Sequence, residues 1–460
     1  MRAAGLIAIA LLAAMPATAQ DASRYGLVGV ARIPSNARDS LGETLGGFGS
    51  GMALVPGSWH AGKTGFTGHL AMLPDRGWNT QGTTDYRARL QYFDVALTPG
   101  HELALTYRRS QLLNDAAGIP TSGIDPEGVR PAKGLLPALP QAANGHVSLD
   151  NEAVALPGDG TAWVSDEYGP QIYHFDSKGR MIGAIRPPAA FLPMRSGQLN
   201  FSAGQAVKGE PDSGRQNNQG FEGMSLTPDH RHLFVATQSA LMQDLDPDHV
   251  KTTRRNIRVL AYDMGAKTPR LMHEYIVPLP LWSDGATDTL VAAQSEMLAL
   301  DDHRLLLLCR DSGGGFSGKR DTSSFRRVMI VDLAGATDIK GRYDGAGDAV
   351  APMGVLRPGI VPATISTLLD INDNTQLARF GVHNGAPNDR NDLYEKWESL
   401  ALAPAHDPRA PNDYFLLVGS DNDFITQDGF MAGKPYKDAS GVNVDTLVLA
   451  WRIHLPSGSR

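Results

Sequence analysis

The sequence predicts an all-β protein, a β-propeller of four-stranded antiparallel blades, with five repeats counted and six blades if one has diverged. Three observations carry this. The first is the stretch from Asp150 to Pro188, which divides into four strand-like runs: Asn151–Leu156, Thr161–Ser165, Gln171–Phe175 and Met181–Ile185. Pro157-Gly158-Asp159-Gly160, Gly169-Pro170 and Asp176-Ser177-Lys178-Gly179 turn the chain between them. One such sheet buries too little to stand alone, so it needs neighbours. The second is recurrence. Glu152-Ala153-Val154-Ala155-Leu156 returns as Glu222-Gly223-Met224-Ser225-Leu226, Glu296-Met297-Leu298-Ala299-Leu300 and Glu398-Ser399-Leu400-Ala401-Leu402. A fifth copy, Ser50-Gly51-Met52-Ala53-Leu54, has Ser in the Glu position. Each copy leads into a second apolar run ending on polar residues: Asp75-Arg76, Asp166-Glu167, Thr237-Gln238, Arg310-Asp311 and Asp421-Asn422-Asp423. The third is composition: 50 glycines and 30 prolines in 460 residues suit a turn-rich sheet protein better than a helical one.

In chain order, residues 1–19 read as an export leader. Arg2 gives the positive start, Leu6–Ala14 a short apolar core and Ala17-Thr18-Ala19 the cleavage signal. Residues 20–460 then form one propeller domain, in the periplasm or secreted, with no transmembrane segment. Tyr25–Ile33 is a lone strand, expected to complete the last blade and close the ring. The first blade spans Phe48–Leu113, and Asn114–Gly145 is a connector too long for a turn. After the second blade comes a loop, Ala189–Gln219, and the third blade covers Phe221–Leu279. The turn there carries His230 and His232, whose spacing suits a metal but whose plainer reading is a solvated turn. The fourth blade starts at Ser295 and runs to about Asp332, and Asp311–Gly315 is a glycine loop. Ala334–Asn391 resists division, with Ile360–Leu369 as strand or short helix. The last blade is Trp397–Leu455. Cys309 is the single cysteine; it excludes an intrachain disulfide and reads as a small core residue.

A net charge of −7 argues against nucleic-acid binding. The chain lacks G-x-S-x-G, H-E-x-x-H and Walker motifs, so common serine hydrolases, zincins and P-loop enzymes find no support. The repeated acid is informative. In a propeller the first strand of each blade lines the channel, so Glu152, Glu222, Glu296 and Glu398 converge on one end. Like charges at 4 Å repel by about 4 kcal/mol at a protein-like dielectric, so the group needs protons or a cation. An oxygen-only donor set favours a hard ion, calcium before magnesium. Asp421 and Asp423 are candidate further ligands, and Asp166 or Glu167 a ligand or general base. The structural alternative has each Glu capping backbone N–H groups between blades. Asp166-Glu167-Tyr168-Gly169-Pro170 forms a polar corner. Tyr168, Arg186, Arg215, Asn218, Arg310 and Asp311 are candidate substrate contacts, the arginines because guanidinium pairs bidentately with phosphate.

At these residues the chain resembles the phytase-like, "esterase-like activity of phytase" family of exported bacterial proteins. The matching text is WVSDEYGPQIYHFDSKGRMIGAIRPP at 163–188, RQNNQGFEGMSLTPD at 215–229, SDNDF at 420–424 and GGFGSGMAL at 46–54, within a similarity running from 46 to 455. The resemblance implies a propeller that hydrolyses phosphoesters or esters. Glu152-Ala153 and Glu398-Ser399 depart from the Glu-Gly common at such positions. The Glu-Gly start is also similar to metal-dependent gluconolactonase-type propellers, where such a Glu is a ligand. The expected function is a calcium-dependent phosphoesterase acting as a monomer on a small molecule. The alternatives are a lactonase or carboxylesterase on the same centre, and a non-enzymatic propeller that binds a partner.

Overall fold

The computed structural model describes residues 25–266, 268–283, 285 and 289–456; the leader expected at 1–19 lies outside them. Five antiparallel sheets form a five-bladed propeller. The innermost strands are Gly51–Leu54, Asn151–Ala155, Phe221–Leu226, Ala293–Ala299 and Trp397–Pro404, and each packs against the next until the fifth meets the first. From these, each blade steps outward through second, third and fourth strands. In blade five the fourth strand comes from the other end of the chain. Gly26–Ile33 pairs antiparallel with Thr446–His454, closing the ring as expected.

The stretch 334–391 supplies the outer strand of blade four, Thr364–Asp370, so Ile360–Leu369 resolves largely as strand. The connector after blade one folds into a short hairpin, Gly128–Arg130 with Leu139–Gln141, rather than a sixth blade.

Each of the five blade interfaces has its own apolar core. Side chains alternate across a strand, so neighbours in sequence serve opposite interfaces. Leu305 and Leu307 pack with Phe234 and Val259 of blade three, while Leu306 and Leu308 pack with Leu416 and Val418 of blade five. That explains why the strand is an unbroken apolar run: it is buried on both faces. Cys309 lies in the same core and is fully buried.

Candidate functional site

The repeated glutamates sit where their strands leave regular pairing. In blades two to five the register between first and second strands shifts at the acid: between Val164 and Asp166, Phe221 and Met224, Gln294 and Glu296, and Trp397 and Ser399. In blade one, where Ser50 replaces the acid, Gly51–Leu54 pairs with no shift. A bulge leaves one residue unpaired and re-aims its side chain. Just ahead of Gly51–Leu54, Gly49 and Gly51 both bridge Leu73, so the irregularity marks the first residue of the phrase in all five blades, and four of them place a glutamate there.

The second strands end at the same level, and two carboxylate groups assemble there. In the first, oxygens of Asp150, Glu152 and Glu167 all lie within 4.8 Å of one another, and all three residues are buried. Asp150 is partly neutralised: Arg76 Nη1 approaches its Oδ2 at 3.0 Å and also donates to Asn218 Oδ1. Glu167 is 1% exposed, and neither of its carboxylate oxygens has a hydrogen-bond partner. Burial first, then the charge of Glu222, pushes the Glu152 and Glu167 carboxyls well above the ordinary range.

In the second group, oxygens of Asp75, Asp421 and Asp423 also lie within 4.8 Å of one another. This group already contains a cation. Lys396 Nζ is 2.7 Å from Asp421 Oδ2, 2.9 Å from Asp423 Oδ1, 3.2 Å from Glu398 Oε2 and 3.9 Å from Asp75 Oδ2. Burial alone would lower the ammonium's pKa; these carboxylates hold it well above the ordinary lysine value. Arg310 pairs with the other oxygen of Glu398. The two groups join through adjacent residues: Asp75 faces Lys396, and Arg76 faces Asp150.

The predicted site residues divide by what they touch. Glu222 Oε1 accepts from Gln238 Nε2 at 2.8 Å, while its Oε2 is buried without a partner. Burial, then Glu398, pushes its pKa up to about 8. Glu296 follows the capping alternative: its Oε1 accepts the N–H groups of Met297 at 2.8 Å and Met224 at 3.3 Å. Asp166 holds the polar corner together. It accepts from the N–H groups of Asp150, Tyr168 and Gly169 and from the Tyr173 hydroxyl.

The Tyr168 hydroxyl donates to the Gly123 carbonyl, and Arg215 spends its guanidinium on the carbonyls of Tyr168, Phe201, Ser202 and Gln216. Asp311 accepts from Ser323, Ser324 and Arg320. These three therefore build walls, and Arg186 is exposed just beyond the outer strand of blade two, away from the channel. His230 and His232 face different partners, the Pro157 carbonyl and Asp302.

Sequence reasoning passed over Asp150 and Lys396 as site residues. Both stand two residues before a repeated Glu, just ahead of the first strand of the blade. Extending the repeat by two positions, to Asp150, Gly220, Gln294 and Lys396, would have exposed them. Asp75 and Arg76 were visible as a second-strand end without an assigned role.

A secreted protein of Arthroderma benhamiae, described as uncharacterized, is 39% identical over 452 residues, covering 88% of each chain. Among solved structures, a luciferin-regenerating enzyme is 9% identical, with a TM-score of 0.29 over 91% of this chain and 95% of its own. Kuenenia stuttgartiensis hydrazine synthase is 10% identical, with a TM-score of 0.31 over 82% of this chain and 77% of its own. Neither structural likeness bears on function. A sequence model of the phytase-like family matches residues 44–424. With a match of that extent, this chain belongs to the phytase-like family described as "esterase-like activity of phytase".

Proposed function

We propose that this chain is an exported phytase-like hydrolase acting on a small phosphoester. Its centre is the group Asp150, Glu152 and Glu167, which would hold a divalent cation, calcium before magnesium. The observation that carries the reading is Glu167, a buried carboxylate with two unpartnered oxygens aimed among two other acids. Such a group is costly unless protonated or paired with a cation, and an all-oxygen donor set fits a hard one. Export is supported by the leader-like 1–19 and by the secreted relative. Among the described residues no helix is long and apolar enough to cross a membrane.

A bound divalent cation would supply polarisation of a phosphoryl oxygen and a more acidic water. The chain's own residues supply the rest. Arg76, Arg310 and Lys396 keep 15%, 11% and 18% of their side chains exposed around the carboxylates. They would receive the remaining phosphoryl oxygens, which would favour a phosphoryl over a neutral ester substrate. Glu222, whose carboxyl burial raises to about 8 and whose Oε2 has no partner, is the residue that would carry a proton to a leaving oxygen. Asp166 acts by positioning Glu167 and Asp150.

The test combines metal titration with a substrate panel. Calcium binding by calorimetry and chelator-sensitive phosphate release are expected. Glu167→Gln should weaken calcium binding by about tenfold or more, the scale of one lost charged ligand. Turnover of carboxylic esters without phosphate release would move the assignment to the lactonase or esterase reading. No metal uptake and no turnover would leave a propeller that binds a partner.

A further inference from the structure

The repeated phrase has two ends, and the carboxylates account for one. Its fifth residue is leucine in every copy: Leu54, Leu156, Leu226, Leu300 and Leu402. Four steps along a strand cover about 13 Å, so these leucines form their own layer at the opposite end of the channel. All five line one concave cavity of about 1000 Å³. Met52, Val154, Met224 and Leu298 line it as well. Four of the five leucines stay partly exposed in it. Chains of this kind keep apolar surface in contact with water unless something covers it, and a pocket of this size is the scale that accepts a small molecule, about 300–1000 Å³.

The charge of the lining narrows the occupant. It contains no lysine or arginine; its ionisable groups are Asp229, His230, His406, Asp407 and Tyr414, and Asp407 is paired with Arg452 at 3.1 Å. The Asp229 carboxyl is held below the ordinary range by the Thr227 hydroxyl and the Arg231 N–H, so it is ionised at neutral pH. A fatty-acid-like anion would find no lysine or arginine in the lining and would face the Asp229 carboxylate, whereas a neutral or cationic molecule meets no such penalty.

We propose that this leucine-lined funnel is a second binding site, distinct from the carboxylate centre, for a small apolar molecule that is neutral or carries a positive charge. Five strands wall it on all sides, which suits a compact ligand entering along the channel axis. The site stands independently of the hydrolase reading, because none of its lining residues belongs to either carboxylate group.

The test is saturable binding of the neutral dye Nile red to the full chain, with competition by decyltrimethylammonium and by decanoate below their micellar concentrations. One-to-one binding is expected, displaced by the cation and not by decanoate. Leu226→Gln and Leu402→Gln, at partly exposed positions, should each weaken binding about tenfold, the scale of one leucine contact, with unchanged circular dichroism. Leu135→Gln, on an exposed loop, and Glu167→Gln should bind as the parent does. The proposal is overturned by absence of saturable binding, by equal binding in the two funnel variants, by loss of binding in Leu135→Gln, or by displacement by decanoate as strong as by the cation. Retained dye binding in a Glu167→Gln protein that has lost calcium would uphold the funnel; dye binding with neither metal uptake nor turnover in the parent would remove the hydrolase reading alone.

Discussion

Lys396 shows what a single side chain decides in this channel. It is one ammonium among four carboxylates, and removing one partner of a buried ionic group leaves the others uncompensated, at a cost of about 3–5 kcal/mol. Lys396→Met should therefore lose about 3 kcal/mol in urea unfolding without divalent ions. Added calcium should restore part of it, because Asp75, Asp421 and Asp423 offer oxygens within 4.8 Å of one another. A variant as stable as the parent would show that the cluster is protonated rather than ion-paired. Protonation has its own signature. Glu222 and Glu274 are raised by burial to about 8 and about 7, each from an ordinary value of 4.5. The folded state therefore binds more protons than the unfolded state between those values, so stability falls with rising pH. The contribution is fully present below about pH 4.5 and is lost as pH rises through 7 and 8. In chelator, the melting temperature should drop across that window, and Glu274→Gln should flatten part of the slope. A melting temperature that climbs from pH 5 to 8 would contradict this.

At the scale of the strand, the departures from Glu-Gly have a steric reason. Gly223 lies so close to the next innermost strand that a Cβ there would stand 2.6 Å from the Met297 nitrogen and 2.8 Å from the Glu296 carbonyl carbon. Both neighbours are backbone, so they yield little. In blade five the same position is Ser399, and the room is made on the facing side: a Cβ on Gly419 would meet the Ser399 hydroxyl at 2.4 Å. Gly is therefore required by the contact in blade three and not by the repeat, which carries Ala153, Met297 and Ser399 at the same position. Gly223→Val should cost about 2 kcal/mol or more by overpacking, measured as a lower urea midpoint with unchanged slope. Ala153→Gly, in the equivalent position of blade two, should cost about 1–2 kcal/mol, from backbone entropy and the loss of a buried methyl.

At the scale of the molecule, the ring is held shut by chain ends. Gly26–Ile33 is the outer strand of blade five, and its Leu27 and Val28 enter the cores on either side of that blade. Without it Thr446–His454 becomes an exposed edge and two interfaces open. Deleting residues 25–33 should abolish the single cooperative melting transition and promote association through the freed edge. A truncated chain that melts as one sharp transition at the parental temperature would show that the other four interfaces suffice.

The sequence by itself determined the blade, its repetition, the closing strand and the level of the acids, because each follows from period-two patterning, turn residues and spacing along the chain. The four glutamates, Asp166-Glu167 and Asp421–Asp423 were legible for that reason. Tertiary structure alone decided their partners. Strand pairing within blade five brought Lys396 among Glu398, Asp421 and Asp423, and ring closure brought it up to Asp75 of blade one; packing gave Glu296 two backbone donors and left Glu167 none. Spacing along one strand states which face a side chain takes. It does not state which residue of another blade stands opposite, and charge, protonation and vacancy at a carboxylate are properties of that opposing residue.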